Sequence, residues 1–171
     1  VTIPDLNCRV YGAGYQSMDS APLLENFRAE GSEKYCIAVL HGDPTRKDSP
    51  YCPITAQQVR DSGLQYLALG HIHKAGAFHA GGTRCAWPAC PMGRGWDETG
   101  EKGVCIVTVE DSASLRAVAL DTIRFHELKA DISWKKSCLP REAGTFSGSP
   151  LREAAKRILP GSRGAFPPFP I

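Results

Sequence analysis

Three histidines carry the clearest chemical signal in the sequence, because they lie in two short motifs that each follow an apolar run. His41 begins the tripeptide HGD, and His71 and His73 belong to the motif GHIH. Neutral imidazole is the commonest side-chain ligand for transition metals. Residues i and i+2 of an extended segment point to the same side, so His71 and His73 are predicted to ligate together. The motifs therefore predict a metal site built from imidazoles.

Two predicted strands and a helix between them would position these histidines. The runs KYCIAVL and LQYLALG end directly before His41 and His71, and their composition is typical of strands buried on both faces. Between them, ITAQQVRDSG predicts a helix capped by Thr55 and ended by Gly63. Such a unit pairs its strands in parallel, and ligands gather at the carboxyl ends of parallel strands. The three imidazoles, those of His41, His71 and His73, are therefore expected to converge.

The spacing also suits two metal ions about 3.5 to 4 Å apart, with one histidine of the GHIH motif serving each ion. Histidines alone are not sufficient, because a two-metal phosphoesterase site needs carboxylates that bridge the ions and offset their charge. An alternative stays open, since histidines at strand ends often hydrogen-bond to the backbone and bind no metal. The joint occurrence of the two motifs after consecutive predicted strands strengthens the metal interpretation.

The remaining segments predict an α/β half followed by a β-rich half. Residues 7–12 predict a strand, and residues 21–31 predict a short amphipathic helix that stops at glycine. The later runs VCIVTVE, LRAVALD and IRFHEL predict consecutive strands of a mostly antiparallel sheet. The sequence therefore predicts the α/β class.

Composition changes after Leu128, so one domain is expected over residues 1–128 and a tail over residues 129–171. Within the tail, residues 149–161 predict one helix. The proline-rich end, GSRGAFPPFPI, is predicted to be disordered or extended.

Length and charge limit the classes of function. The chain has 171 residues, enough for one sizeable domain, and a net charge of only +2. It is therefore not a chain-wide electrostatic binder of nucleic acid, although a local basic face could contact phosphates. No apolar run approaches the roughly 20 residues of a membrane span, and the N-terminus lacks a signal-peptide pattern. The sequence thus predicts a cytoplasmic location and no membrane partner.

The cysteines predict reduced, buried thiols. They are odd in number, form no CxxC pair, and several lie inside apolar runs, which is untypical of a disulfide framework or a zinc knuckle. The seven residues are Cys8, Cys36, Cys52, Cys85, Cys90, Cys105 and Cys138.

The order of three motifs carries a family resemblance. The segments YCIAVLHGD, YLALGHIHKAG and CAWPACPMGRGWDETGEKGVCIVTVE resemble the C-terminal half of a calcineurin-like metallophosphoesterase. Within that superfamily the chain is most similar to bacterial DNA-repair exonucleases of the SbcD and YhaO types. The resemblance covers about residues 1–128. It implies a layered α/β/β/α sandwich of which only the C-terminal half is present.

The resemblance also implies roles for particular residues. His41 and His71 correspond to ligands of the second metal ion, and His73 corresponds to a ligand of the first. The implied cofactor is a pair of Mn²⁺ ions, although the histidines alone would equally accept zinc, iron or nickel. The implied activity is a DNA exonuclease acting on ends or single strands, with an ATPase partner that contains a long coiled coil.

The chain departs from the family pattern in a way that lowers its expected activity. The motifs DxH, GDxxD and GNHD do not occur in the sequence, and with them the bridging aspartate, the asparagine ligand and a substrate-contacting histidine are missing. Hard cations rely on oxygen ligands. These residues alone are therefore expected to be a fragment that binds Mn²⁺ weakly and is inactive. A second departure is Ala89, where relatives tend to have glycine, so the local turn is expected to differ.

Three further residues are candidates near the predicted site. Asp43 would either orient His41 through a hydrogen bond or cap a turn before the next proline. Arg94, in the loop GRGWDETGEKG, is a candidate for phosphate contact because the glycines permit close backbone approach; a hairpin with exposed charges is the alternative. Lys74 flanks the site as a candidate contact for a nucleic-acid backbone, or as an ordinary surface cation.

Other polar and aromatic residues have simpler expected roles. Arg84 has the same two interpretations as the flanking lysine. Trp87 and Trp96 could stack on bases, but packing against the sheet is the favoured interpretation. His79 and His126 lie in strand-like segments and are predicted to be structural or solvent-facing.

The sequence therefore predicts metal-dependent phosphodiester hydrolysis, in the form of a DNA exonuclease. Two alternatives remain. One is a phosphoesterase acting on a small nucleotide or a phosphoprotein, and the other is a non-catalytic remnant of the fold that only binds.

Overall fold

Eight strands and one α-helix build the part of the chain described by a computed structural model, which covers residues 1–15, 17 and 20–127. The predicted tail over residues 129–171 and Cys138 lie outside these described residues. The elements are β1 (Thr2–Ile3), β2 (Cys8–Ala13), β3 (Tyr35–His41), α1 (Ala56–Asp61), β4 (Tyr66–Gly70), β5 (Gly76–Ala80), β6 (Thr83–Trp87), β7 (Gly103–Val109) and β8 (Ala113–Ala119), with a short 3₁₀ turn at Pro4–Leu6.

Six strands form one sheet in the order β1-β2-β3-β4-β6-β5. The inner neighbours β2, β3, β4 and β6 pair in parallel, and β1 and β5 pair antiparallel at the two edges. In the register of β3 with β4, His41 lies opposite Gly70. The predicted parallel β-α-β unit is confirmed, and it brings both histidine motifs to the same edge of the sheet.

Helix α1 begins where the sequence predicts it. The Thr55 side chain accepts a hydrogen bond from the backbone N–H of Gln58, and the Gln58 side chain accepts one from the Thr55 backbone N–H, which completes a capping box. Val59 is fully buried against the sheet. The helix ends before Gly63, whose φ of 73° is a conformation that glycine adopts readily.

The sheet is covered on both faces, by different structures. On one face, α1 and the loop segment before β3 pack on Leu40, Leu67 and Cys85. On the other face, the two-stranded antiparallel sheet β7-β8 packs on Tyr66 and Ala86. Hydrophobic residues from alternate positions of the same strands thus enter two separate cores. The α/β class is confirmed, and the layers of the described part are α, β and β.

Strand β3 is less buried than its composition predicts. Its side chains alternate, with Cys36, Ala38 and Leu40 buried and Val39 52% exposed. The small sheet β7-β8 covers the neighbourhood of Ile37 but not Val39. The prediction that this strand is buried on both faces is therefore wrong in the described residues.

Two further sequence predictions are also wrong. Residues 21–31 form turns rather than a helix, because Asn26 takes a φ of 59° and Glu25 and Phe27 bond three residues back, to Pro22 and Leu24. Leu24 is nevertheless buried in the core. The segment IRFHEL contains no strand over its described residues.

The hairpin β5-β6 is absent from the sequence prediction, and it returns the chain to the main sheet, with β6 beside β4.

The six cysteines of the described part are all free, as predicted, and four of them are buried. None of the helices in this part is long and apolar enough to cross a membrane.

Candidate functional site

His41 and His71 meet at the carboxyl ends of two neighbouring parallel strands. Strand β3 ends at His41 and β4 ends one residue before His71. Their ring centroids are 5.3 Å apart with an interplanar angle of 74°. A Cβ placed on Gly70 would lie 2.7 Å from Nδ1 of His41, so glycine at this position makes room for the imidazole. The parallel register therefore brings the two rings into contact.

The GHIH motif does not continue the strand. His71 has a φ of 98°, a left-handed conformation that is unusual for a residue with a side chain. The expectation that His71 and His73 project together from an extended segment is therefore wrong. The turn instead places the His71 ring 4.9 Å from the ring of Tyr51, while Tyr15 contacts His41 edge-on at 5.1 Å.

The environment of His41 favours its neutral form. Burial lowers the pKa of His41, and the nearby imidazoles of His71 and His73 lower it further. Metal ligation requires a neutral imidazole with a free lone pair. His71 and His73 are thus close enough to act on His41 electrostatically, in the direction that favours the neutral form a ligand needs.

His73 has a partner that the sequence interpretation missed. Its Nδ1 lies 2.6 Å from Oε1 of Glu98, a residue that is only 5% exposed. The backbone N–H of Arg94 donates to Oε2 of Glu98 at 2.8 Å. The hydrogen bond from that N–H lowers the pKa of Glu98 to about 2, against the effect of burial and together with the Arg94 and His73 side chains. Glu98 lies in the GRGWDETGEKG loop. The sequence feature that could have identified Glu98 is therefore an acidic residue in a glycine-rich segment.

Arg94 and Lys74 are both close to His73, Lys74 as the next residue in the chain and Arg94 through its contacts with Glu98. The Arg94 guanidinium is 71% exposed and its Nη2 lies 3.4 Å from Oε1 of Glu98. Lys74 is exposed, and its carbonyl accepts a hydrogen bond from Nε1 of Trp87 at 2.9 Å. The interpretation of Arg94 and Lys74 as substrate contacts stays a prediction. Arg94 also forms hydrogen bonds with Glu98 within its own loop.

Asp43 is placed as a turn cap. Its buried carboxylate accepts hydrogen bonds from the backbone N–H of Thr45 at 2.8 Å and from the Thr45 hydroxyl at 2.6 Å. Burial raises the pKa of Asp43, but these hydrogen bonds, with smaller effects of Ser49 and His71, lower it overall. No hydrogen bond joins Asp43 to His41 within the described residues, so the geometry corresponds to the capping alternative.

The remaining predicted residues divide between the core and the surface. Trp87 packs on the core as predicted, whereas Trp96 is 79% exposed, so its predicted packing against the sheet is wrong. Its only ring contact among the described residues is edge-on, with Phe125. His79 and His126 are exposed, in agreement with the sequence. Arg84 is partly buried within β6.

Comparison with curated proteins finds a relative in the family that the motifs resemble. The chain is 31% identical over 136 residues to the uncharacterized metallophosphoesterase YhaO of Bacillus subtilis (strain 168), in a match that covers 76% of the chain. The match supports the metallophosphoesterase family. The chain covers only 31% of the length of that metallophosphoesterase. No protein-family model matches the chain, and no solved structure matches it.

The fold and the ligand chemistry can be compared with that family. The mixed α/β architecture, with a central sheet and few helices, is consistent with a metallophosphoesterase-type fold. The adjacent imidazoles of His41 and His71 fit a divalent metal, and beside them the hydroxyl of Tyr15 is buried without a hydrogen-bond partner in the described residues. However, no group of three or more His, Cys, Asp and Glu side chains in that part of the chain is arranged to hold a metal ion. The residues present are therefore a partial ligand set.

Proposed function

We propose that this chain contributes His41, His71 and His73 to a two-metal centre that hydrolyses phosphodiesters, and that the substrate is DNA. The observation that supports the proposal most directly is the contact between His41 and His71 at the ends of adjacent parallel strands, in a chain similar to a metallophosphoesterase. On this proposal His41 and His71 hold one ion and His73 holds the other. The proposed metal is Mn²⁺.

The proposal assigns the oxygen ligands to another part of a longer polypeptide. Imidazoles alone neither bridge two ions nor offset their charge, and the relative is about three times as long as the matched region. When bound, two such ions supply Lewis-acid stabilisation of the charge on the phosphate oxygens. The residues described here hold nitrogen donors in place and leave the rings of His41 and His73 accessible to solvent.

DNA as the substrate is supported by exposed side chains of the loop that carries Glu98, the residue whose carboxylate contacts His73. Trp96 exposes a flat indole of the kind on which bases stack, and Arg94, two residues earlier, exposes a guanidinium that suits a phosphate. We extend the proposal to an exonuclease of the DNA-repair type, in the cytoplasm, with a coiled-coil ATPase as partner. The exonuclease type and the ATPase partner rest on the motif resemblance, and the cytoplasmic location rests on the sequence pattern.

The test is a comparison of two histidine variants in the whole protein. His71→Ala removes a proposed ligand, whereas His79→Ala removes an exposed histidine of β5 that lies outside the site. We expect His71→Ala to lower Mn²⁺ affinity by more than the roughly 100-fold upper range for outer-shell changes, and to abolish degradation of end-labelled DNA. His79→Ala should match the wild type in both assays, measured by calorimetry and gel electrophoresis.

Two results would redirect the proposal. If His71→Ala binds Mn²⁺ as well as His79→Ala does, the metal centre is refuted and the non-catalytic binding module takes its place. If the wild type cleaves a small phosphodiester such as bis(p-nitrophenyl) phosphate but leaves DNA ends intact, the small-nucleotide phosphoesterase replaces the exonuclease.

A further inference from the structure

We infer that Glu98 is a positioning residue for His73: its carboxylate accepts a hydrogen bond from the Nδ1–H group and so leaves Nε2 as the nitrogen available to a ligand. The inference deepens the proposed function and rests on it wherever that ligand is a metal ion. The carboxylate itself is not assigned as a ligand. Its role is to fix the tautomer and the orientation of the ring.

The hydrogen-bond chemistry of the pair determines the tautomer. An ionised carboxylate can only accept hydrogen bonds, and Oε1 of Glu98 lies 2.6 Å from Nδ1 of His73. Nδ1 must therefore carry a proton. In the neutral ring the other nitrogen, Nε2, then holds the free lone pair. A carboxylate behind a metal-ligating histidine is a common arrangement, in which it fixes the ring and raises its basicity.

Hydrogen bonds hold the Glu98 carboxylate in place, so it can fix the orientation of the His73 ring. Its two carboxylate oxygens have different partners: Oε1 faces His73, and Oε2 accepts the backbone N–H of Arg94 at 2.8 Å. The backbone N–H of Glu98 donates to the carbonyl of Gly95 at 3.1 Å. A carboxylate with both oxygens occupied has little freedom to rotate away from the imidazole.

The same segment of chain also holds the backbone of His73. Lys102, four residues after Glu98, is buried, and its Nζ donates a hydrogen bond to the His73 carbonyl at 3.3 Å. The ring and the main chain of His73 are thus fixed from one loop, which follows β6 and precedes β7. This double attachment points to a ring that must stand in a set direction, because an unconstrained surface histidine needs neither contact.

The first experiment replaces Glu98→Gln in the whole protein and uses Glu101→Gln as a matched control. Glu101 lies in the same loop, but its Oε1 accepts from Nη2 of Arg124 at 3.0 Å rather than from a histidine. An amide has one acceptor oxygen, so Glu98→Gln must turn an NH₂ group toward either the Arg94 N–H or Nδ1 of His73. We expect Mn²⁺ affinity to fall about 10- to 100-fold in Glu98→Gln and to stay unchanged in Glu101→Gln. Equal affinities in the two folded variants would overturn the inference.

A second measurement needs no variant and no metal. Long-range ¹H–¹⁵N correlation spectra of the metal-free wild type, recorded at one alkaline pH, report which ring nitrogen of His73 is protonated. Protonation of Nδ1 is the expected result, and protonation of Nε2 would refute the inference even if Glu98→Gln failed to fold.

The failure of this inference is distinguishable from the failure of the proposed function. His73→Ala tests the metal site directly, since it deletes the proposed ligand. If His73→Ala lowers Mn²⁺ affinity while the wild-type spectra show protonated Nε2, the metal centre stands and the role of Glu98 is refuted. If His73→Ala leaves Mn²⁺ affinity unchanged, the metal role of His73 is refuted, and the inference fails with it as a statement about metal binding.

Discussion

The chain holds its candidate ligands in two different ways. His41 and His71 stand at the ends of β3 and β4 and touch aromatic rings, and within the described residues no hydrogen bond reaches either imidazole. His73 lies in the following turn, and a buried carboxylate, that of Glu98, binds its ring at 2.6 Å. The first arrangement depends on strand register and packing, and the second depends on one polar contact.

This difference matters for what each histidine can do. Because no hydrogen-bond acceptor among the described residues contacts the rings of His41 and His71, hydrogen bonding there does not select their tautomers. His73 has its tautomer selected in advance by Glu98. The strand-end pair should therefore respond most to changes in packing, and His73 should respond most to changes in hydrogen bonding. Substitutions that alter one kind of support and leave the other intact test this comparison.

Among substitutions that alter packing and leave both imidazoles in place, the largest effect is expected for Gly70→Ala. A Cβ at position 70 would lie 2.7 Å from Nδ1 of His41, so the ring must move, although the backbone at this strand position suits alanine. A displacement of about 1 Å can cost on the order of 100-fold where geometry is critical. We expect Mn²⁺ affinity of the whole protein to fall about 10- to 100-fold, measured by calorimetry.

The matched control for this change is Gly82→Ala. A Cβ on Gly82 would meet no atom within 4 Å, so affinity and thermal stability should both stay close to the wild type. Equal Mn²⁺ affinities in the Gly70 and Gly82 variants would show that the His41 ring is not held by packing, and the contrast between the two kinds of support would be lost.

The supports based on packing were predictable from the sequence, because they follow from local patterns. An apolar run that ends at a histidine predicted both β3 and β4, and Thr55 and Gly63 marked the two ends of α1. The parallel pairing then followed from the general behaviour of β-α-β units. Convergence of the histidines at one edge of the sheet needed no further information.

The features that the sequence did not reveal depend on contacts between distant segments. Glu98 reaches His73 across 25 residues, and no local spacing relates the two. The exposure of Val39 depends on how far the sheet β7-β8 extends over the main sheet. The turn conformation of Asn26 overrides the helical spacing of the apolar residues around it. Hydrophobic periodicity predicts which residues are buried more reliably than it predicts the backbone conformation of the segment that contains them.

A smaller effect is expected from Thr45→Val, which changes the turn after His41 and leaves the imidazole contacts alone. The hydroxyl of Thr45 donates to the buried carboxylate of Asp43 at 2.6 Å, and the backbone N–H of Thr45 remains as a second donor. Loss of a hydrogen bond to a charged group costs about 1.5 to 3 kcal/mol. We expect the free energy of unfolding in urea to fall by about 2 kcal/mol, with Mn²⁺ affinity unchanged.

The control for the turn is Thr108→Val, at an exposed position of β7 where valine suits the strand. Its stability should match or exceed that of the wild type. A Thr45→Val protein that kept full stability but lost Mn²⁺ affinity would mean that Asp43 orients His41. The strand-end pair would then resemble His73 in depending on a carboxylate.

The smallest effect is expected at Ala89, which lies at the start of the loop that carries Glu98. The sequence predicted an altered turn where relatives tend to have glycine, yet Ala89 adopts a φ of 72°, the conformation that glycine favours. A left-handed alanine costs the folded state about 1 to 2 kcal/mol. Glycine instead stabilises the unfolded state through its larger conformational entropy, by about 0.4 to 1 kcal/mol. Ala89→Gly should therefore be neutral or slightly stabilising, whereas Ala21→Gly, at an exposed residue outside the positive-φ positions, should be destabilising.

The difference between these two alanine variants measures the strain in the loop. A gap of about 1 to 2 kcal/mol in the free energy of unfolding would show that the loop keeps Ala89 in an unfavourable conformation. Because strained residues persist only where the surroundings determine them strongly, that result would agree with a loop fixed by the contacts of Glu98 and Lys102 with His73. Equal destabilisation of both variants would mean that the turn relaxes freely, and the support of His73 would then be looser than its contacts indicate.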